Sequence, residues 1–177
     1  MGAVTQDVGK YNRGARTLHW LSAFAIIANL ASGLLHEPLD GVVSLMPWHK
    51  ALGMTILFLS AARLLWRMGW RAPPYPPTMR RAEVLLAKAV HVILYVLMIA
   101  MPLSGWAMSS AGTYPLTWFG LFDLPKLPLG KESLAVLAGR TFHGTGGWVL
   151  LVLVLGHATA ALRHHFVLKD EVLRRMI

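Results

Sequence analysis

Cysteine is absent from this chain, and carboxylates are scarce: eight Asp and Glu stand against seventeen Lys and Arg among 177 residues. Without cysteine there is no disulfide, no thiolate-ligated iron–sulfur cluster and no covalent CxxCH haem attachment. No P-loop, GxSxG or HExxH run occurs, and no paired carboxylates, so ATPase and hydrolase chemistry have no groups to use. Charge is short altogether, at 14% of residues, where a soluble domain carries about a quarter. What replaces it is apolar: hydrophobic residues make up 55% of the chain and mean hydropathy is +0.52. The net charge of +9 does not point to nucleic acid. Its cations gather at the ends of apolar runs, as membrane topology requires, and not on a folded basic face.

Four apolar runs are legible, at about 18–35, 48–66, 84–108 and 142–162. Each approaches the ~20 residues that a ~30 Å hydrocarbon core demands. Trp20, Trp48, Trp66, Trp106 and Trp148 fall near the ends of runs, where interfacial indoles reside. Pro102 interrupts the third run and predicts a kink, and RAPPYPP ends the second. The first run is too long, and too polar at His19 and Asn29, for a cleaved signal peptide. The expectation is an all-α, integral membrane four-helix bundle, a single domain over 1–177. Thirteen of the seventeen cations lie in the N-terminal segment, the connection between runs two and three, and the C-terminal tail. Lys50, Lys126, Lys131 and Arg140 alone lie on the other side, so both termini are expected in the cytoplasm.

This topology sorts the histidines by depth. His19 opens the first run on the cytoplasmic side, and His49 opens the second on the outer side. His143 matches His49 in depth. His157, fourteen residues further on, lies about 21 Å deeper on the same helical face and matches His19. Pairs His49/His143 and His19/His157 would each offer two imidazoles across a gap between helices, as a six-coordinate haem needs. A lone histidine in a membrane helix often only bonds across helices. Four in two matched pairs favour two non-covalent haems within an electron-transfer bundle. Ala23, Gly53, Gly147 and Ala161, four residues after these histidines, leave room for a porphyrin. His91 shares the cytoplasmic depth and remains an alternative ligand or haem contact. His36 reads as solvated beside Glu37, while Met101 and Met108 read as packing.

The segments RTLHW, PWHKALG, HVILYVLMIAMPLSG, FHGTGGW and GHATAALRHHF, in this order, resemble the bacterial cytochrome b561 family. The likeness runs from Tyr11 to about Met176 and is looser in the outer connection, Gly112 to Arg140. It implies two b-type haems in a bundle of the bacterial inner membrane, ligated by His19, His49, His143 and His157. It also implies electron transfer from external superoxide to ubiquinone, with His164 in RHHF at the quinone region.

Lys50, Lys126, Lys131 and Arg140 near the outer ligands are candidates for steering superoxide, although pairing with haem propionates or lipid phosphates would serve them equally. Two other functions stay open. One is a cytochrome b subunit joining a periplasmic dehydrogenase or hydrogenase to quinone, which would make a protein redox partner. The other is a non-haem metal or proton transporter. An absorption spectrum separates them: the purified chain is expected to show a reduced b-type pattern with about two haems per chain, and a colourless protein would end the haem account.

Overall fold

Asn12 begins the first helix by accepting the Ala15 amide at 2.8 Å, so a free donor of the opening turn is capped. In the computed structural model, which describes residues 9–177, that helix, α1, spans Arg13–Leu35. The first eight residues, part of the domain expected over 1–177, lie outside the described residues. Helix α2 spans Met46–Met68 with Pro47 in its first turn, where a missing N–H costs nothing. Helix α3 spans Arg81–Ser110, and Glu83 accepts the Arg80 amide at 2.9 Å. Helix α4 spans Leu134–Arg163 and passes into a π-helical turn over His164–Leu168. All four helices are long and apolar enough to cross a membrane.

One boundary differs from the sequence expectation in an instructive way. The fourth helix begins at Leu134 and not near 142, so Arg140 rides on α4 and is no part of the outer loop. Gly139 and Arg140 interrupt the apolar run, which ends the hydropathy signal there. The backbone ladder nevertheless runs on through both residues, and Val136 in the turn before them is fully buried. A helix of 30 residues is about 45 Å long, so it overruns a ~30 Å core.

The core is thin. Ile26 of α1, Ile56 of α2, Leu97, Met98 and Met101 of α3, and Leu150 of α4 form its buried centre. Large apolar side chains such as Phe24, Phe58, Val92 and Val152 point outward, as they do when the surroundings are lipid. Helix α1 packs on α2, α2 on α3 and α3 on α4, whereas α4 packs extensively on no other long helix. The bundle is therefore open between α4 and both α1 and α2.

Pro102 lies within α3 and cannot donate to the Met98 carbonyl one turn back. The hydroxyl of Ser60, fully buried on α2, lies 3.3 Å from that carbonyl while also bonding Ile56 O at 2.6 Å. A cross-helix hydroxyl thus serves the acceptor that proline orphans.

The outer connection is an ordered cap. Strands β1 (Thr117–Trp118) and β2 (Phe122–Asp123) pair antiparallel, with Phe119 at φ 50° and Gly120 at φ 74° in the turn. The loop between the paired residues is Phe119 to Leu121, and the Leu121 amide closes the turn on the Trp118 carbonyl at 3.0 Å across the two positive-φ residues. Trp118 Nε1 donates to Thr55 Oγ1 at 3.0 Å, and Trp106 Nε1 to the Pro125 carbonyl at 2.9 Å, which tie the cap to α2 and α3. At the opposite end the segment before α1, and α1 itself, meet the C-terminal tail. Tyr11 N donates to Arg175 O at 3.1 Å, and Trp20 Nε1 to Met176 O at 2.8 Å.

Ser60→Ala is expected to lower stability in detergent by about 0.6 kcal/mol, the usual worth of an interhelical hydrogen bond in a membrane. Ser60→Ala in a Pro102→Ala background should cost less, because the Met98 carbonyl then regains an amide partner. Equal losses in the two backgrounds, read by thermal unfolding, would count against this bond.

Candidate functional site

The residues that hold the outer histidines form a repeated pattern. On α1 the run NLASG ends at Gly33; on α3 the run MPLSG ends at Gly105. In each, one residue lends a backbone carbonyl, the serine three further on lends a hydroxyl, and the glycine after it leaves space. His49 Nδ1 lies 3.1 Å from Asn29 O and 3.4 Å from Ser32 Oγ. His143 Nδ1 lies 3.1 Å from Met101 O and 2.9 Å from Ser104 Oγ. A carbonyl can only accept, so each Nδ1 carries the proton and each Nε2 keeps a free lone pair. Metal-bound imidazoles are generally held in this way, with the outer nitrogen donating to a carbonyl.

The glycines matter for close approach. A Cβ placed on Gly33 would lie 2.9 Å from His49 Cε1, and one on Gly105 would lie 3.1 Å from His143 Cε1. Neither serine nor either glycine was singled out in the sequence. The signal that finds them is the internal repeat, small residues following an apolar pair on two different helices.

The rings of each pair approach one another across the open side of the bundle. The ring centroids of His49 and His143 are 5.9 Å apart, and those of His19 and His157 are 6.2 Å apart. Two metal–imidazole bonds of ~2 Å, with about 1 Å from each nitrogen to its ring centre, span ~6 Å. Both pairs bridge helices that do not pack on one another, α2 with α4 and α1 with α4. His143 and His157 lie on one uninterrupted helix, so the two pairs are about 21 Å apart along its axis. On α4, a Cβ at Gly144 or Gly156 would meet nothing within 4 Å, so the face beside the histidines is open. Spacing, tautomer and open face fit an iron porphyrin clamped between two imidazoles, above all at the outer pair.

The inner pair has different surroundings. Arg63 of α2 places Nη2 3.3 Å from His19 Nδ1, with its guanidinium 5.2 Å over the Tyr95 ring. A guanidinium only donates, so His19 meets the opposite polarity to that around His49. His91 approaches His157 as well, at 5.2 Å between centroids, shorter than the span of two coordination bonds. His19, His91, His157 and His164 line one cavity of about 950 Å³, which Arg67, Tyr75 and Arg175 also border. That volume lies in the range of pockets for organic ligands. Outside the spans, burial raises the Tyr75 phenol above its ordinary value, Tyr11 acting the same way, so it stays a hydroxyl donor at neutral pH. His164 is buried and its Nδ1 bonds Asp170.

The remaining candidates sit at the outer end. Lys126 Nζ donates to the Gly112 carbonyl at 2.7 Å, and its charge acts on half-buried Lys50. Lys131 and Arg140 are exposed, the latter on α4. His36 is partly buried and donates to the Gly33 carbonyl at 2.7 Å, so it is less solvated than the sequence suggests.

Comparison with known proteins places the chain in a family. The family model described as prokaryotic cytochrome b561 matches residues 10–177. The chain is 35% identical over 178 residues to Cytochrome b561 homolog 2 of Escherichia coli, covering 98% of this chain and 94% of that one. It is 31% identical over 168 residues to Probable superoxide oxidase CybB of Yersinia pestis, covering 90% and 91%. The chain belongs to the prokaryotic cytochrome b561 family, and is a bacterial membrane b-type cytochrome that transfers electrons. Membership sets aside the metal- or proton-transporter reading.

Gly33→Val and Gly105→Val should each displace the neighbouring imidazole and lower the haem-to-protein ratio of the purified chain. Gly130→Ala, where a Cβ would meet nothing within 4 Å, should leave that ratio unchanged. Full haem content in both valine variants would show that these cradles do not position ligands.

Proposed function

We propose, starting from membership of this family, that the chain oxidises superoxide on the outer face of the bacterial inner membrane and reduces ubiquinone on the inner face. The observation that carries the reading is the two histidine pairs at opposite depths of α4, with a large cavity lined by the inner pair and extending to His164. His49 and His143 would hold one b-type haem, and His19 and His157 a second. His91, with its shorter approach to His157, becomes a haem contact. Bound b-type haem supplies one-electron chemistry at iron.

The chain's own groups supply the rest. Carbonyls of Asn29 and Met101, with Ser32 and Ser104, keep the outer imidazoles in the tautomer that presents Nε2. The apolar helices exclude water between the two depths. Two superoxide ions each lose one electron and leave as dioxygen. One quinone takes those two electrons and two protons, and leaves as quinol. His164 borders the cavity in which a quinone would lie, and its imidazole can carry a proton on either ring nitrogen. Thirteen cations gather at the end where the C-terminal tail meets α1, which supports a cytoplasmic location for both termini and a single 1–177 domain with its cap outside.

Lys50 and Lys126, with Lys131 and Arg140, make the outer end positive, which concentrates a small anion. One observation favours a protein donor instead: Leu121, 73% exposed, and Phe122, 55% exposed, present apolar surface on the hairpin. A dehydrogenase or hydrogenase could dock there, and a stable co-purifying partner would favour that alternative.

Lys50→Gln combined with Lys126→Gln should slow haem reduction by superoxide several-fold at low salt and by less at high salt, where screening shortens the reach of charge. A rate independent of both charge and salt, measured by stopped flow, would remove superoxide steering. Loss of about half the haem in His143→Ala, the rest keeping the inner spectrum, would support the two pairings.

A further inference from the structure

At the end of α4 the backbone leaves regular helical geometry in two steps, and together they place a carboxylate behind His164. The turn His164–Leu168 is π-helical, a form that is rare and frequent at functional sites. Lys169 follows in the left-handed region at φ 55°, a conformation that costs a non-glycine residue energy and persists only where the surroundings enforce it. The reversal carries Asp170 back under the helix end, where its amide donates to the His164 carbonyl at 3.1 Å.

The Asp170 carboxylate is held at both oxygens. Oδ1 accepts the Val172 amide at 3.0 Å, and Oδ2 lies 2.5 Å from His164 Nδ1. Both side chains are only 9% exposed. His164 borders the inner cavity and Asp170 does not, so the carboxylate stands on the side of the ring away from the cavity. With Nδ1 committed to Asp170, the ring nitrogen left for a cavity ligand is Nε2.

We propose that Asp170 is a positioning residue for quinone reduction: it holds His164 in one tautomer and one orientation, with Nε2 toward a quinone in the cavity. The inference rests on the ubiquinone reading above and adds a residue that neither the sequence motifs nor the family likeness pointed to. A carboxylate behind an imidazole, fixing which nitrogen works, is the logic of every acid–base triad. As the quinone takes two electrons and two protons, the protonated His164 ring gives its Nε2 proton to a carbonyl oxygen bearing the incoming negative charge. The N–H bond breaks, the O–H bond forms, and the neutral ring keeps its Nδ1 proton on Asp170. Water at the cytoplasmic end then restores the Nε2 proton for the second transfer.

The test uses the full haem-loaded chain in nanodiscs, reduced anaerobically with dithionite and mixed with a short-chain ubiquinone, haem reoxidation being followed by stopped flow. Asp170→Asn keeps an oxygen for the Val172 amide, so the turn survives, but its amide donates to Nδ1 and reverses the tautomer. The expected result is a limiting rate lower by about a hundredfold, with little change in the half-saturating quinone concentration and an unaltered haem spectrum. His164→Ala should fall equally far, and the double variant no further, because the two groups act as one unit. Asp170→Glu, which retains the carboxylate, should recover most of the rate.

A wild-type limiting rate in Asp170→Asn beside a slow His164→Ala would overturn the role of Asp170 and leave the quinone site standing. Wild-type rates in His164→Ala would sink the quinone reading of this cavity itself. A change confined to half-saturation in Asp170→Asn would mark a merely structural contact and also reject the proposal. If Asp170→Asn loses haem, Asp170→Glu decides: an active, haem-loaded protein supports the pair, and a slow one with full haem rejects it.

Discussion

The outer end of this bundle depends on one constraint: an imidazole in a bilayer must have the proton on one nitrogen accepted before the other can serve as a ligand. At the outer end that acceptor is a helix backbone carbonyl, Asn29 O for His49 and Met101 O for His143. Carbonyls inside a helix are normally taken by the amide one turn on, so a second donor needs room beside that bond. The glycine that follows creates the room by removing a side chain, while each serine hydroxyl donates to the same carbonyl, at 2.9 Å on α1 and 2.8 Å on α3, and sets its oxygen beside the ring nitrogen. This explains why the ring edge comes so close to Gly33 and Gly105. It also explains why the same five-residue arrangement recurs on α1 and α3, the two neighbours of the helices that carry the histidines.

The second consequence is architectural. A protein that must hold haem between its helices cannot pack them uniformly. Here α1, α2, α3 and α4 pack in sequence, while α4 stands apart from α1 and α2. The paired histidines cross those two separations. The buried centre is correspondingly small, drawn from one or two side chains of each helix, and much of the remaining apolar surface faces lipid. Packing in the bundle and space for the cofactor are thus alternatives along the same helix faces.

The two ends are not equivalent. The outer end is closed by a short hairpin pinned by tryptophan N–H bonds to α2 and α3, and its imidazoles meet carbonyls. The inner end is open to a cavity, His19 meets a guanidinium, and a buried carboxylate stands behind His164. Electron entry needs little more than approach and charge. The proposed quinone reduction needs a pocket and protons as well, and the cavity, His164 and Asp170 stand together at the inner end.

Composition and periodicity were enough to determine the class: a ~30 Å apolar layer admits only runs of about this length, and the spacing of His143 and His157 commits one helix to two depths. The four histidines were legible because charge-poor spans make any imidazole conspicuous. The start of α4 was not, because Gly139 and Arg140 end the apolar signal although the backbone ladder continues past them. Nor were Ser32, Ser104 and Asp170, whose residue types are ordinary and whose roles depend on what another helix or a reversed turn brings opposite. Whether His19 or His91 stands at the better distance from His157 was likewise decided by helix placement, since both lie at the same depth. Depth follows from counting along one chain, but distance between side chains depends on how separate helices lean, and that belongs to the tertiary structure alone.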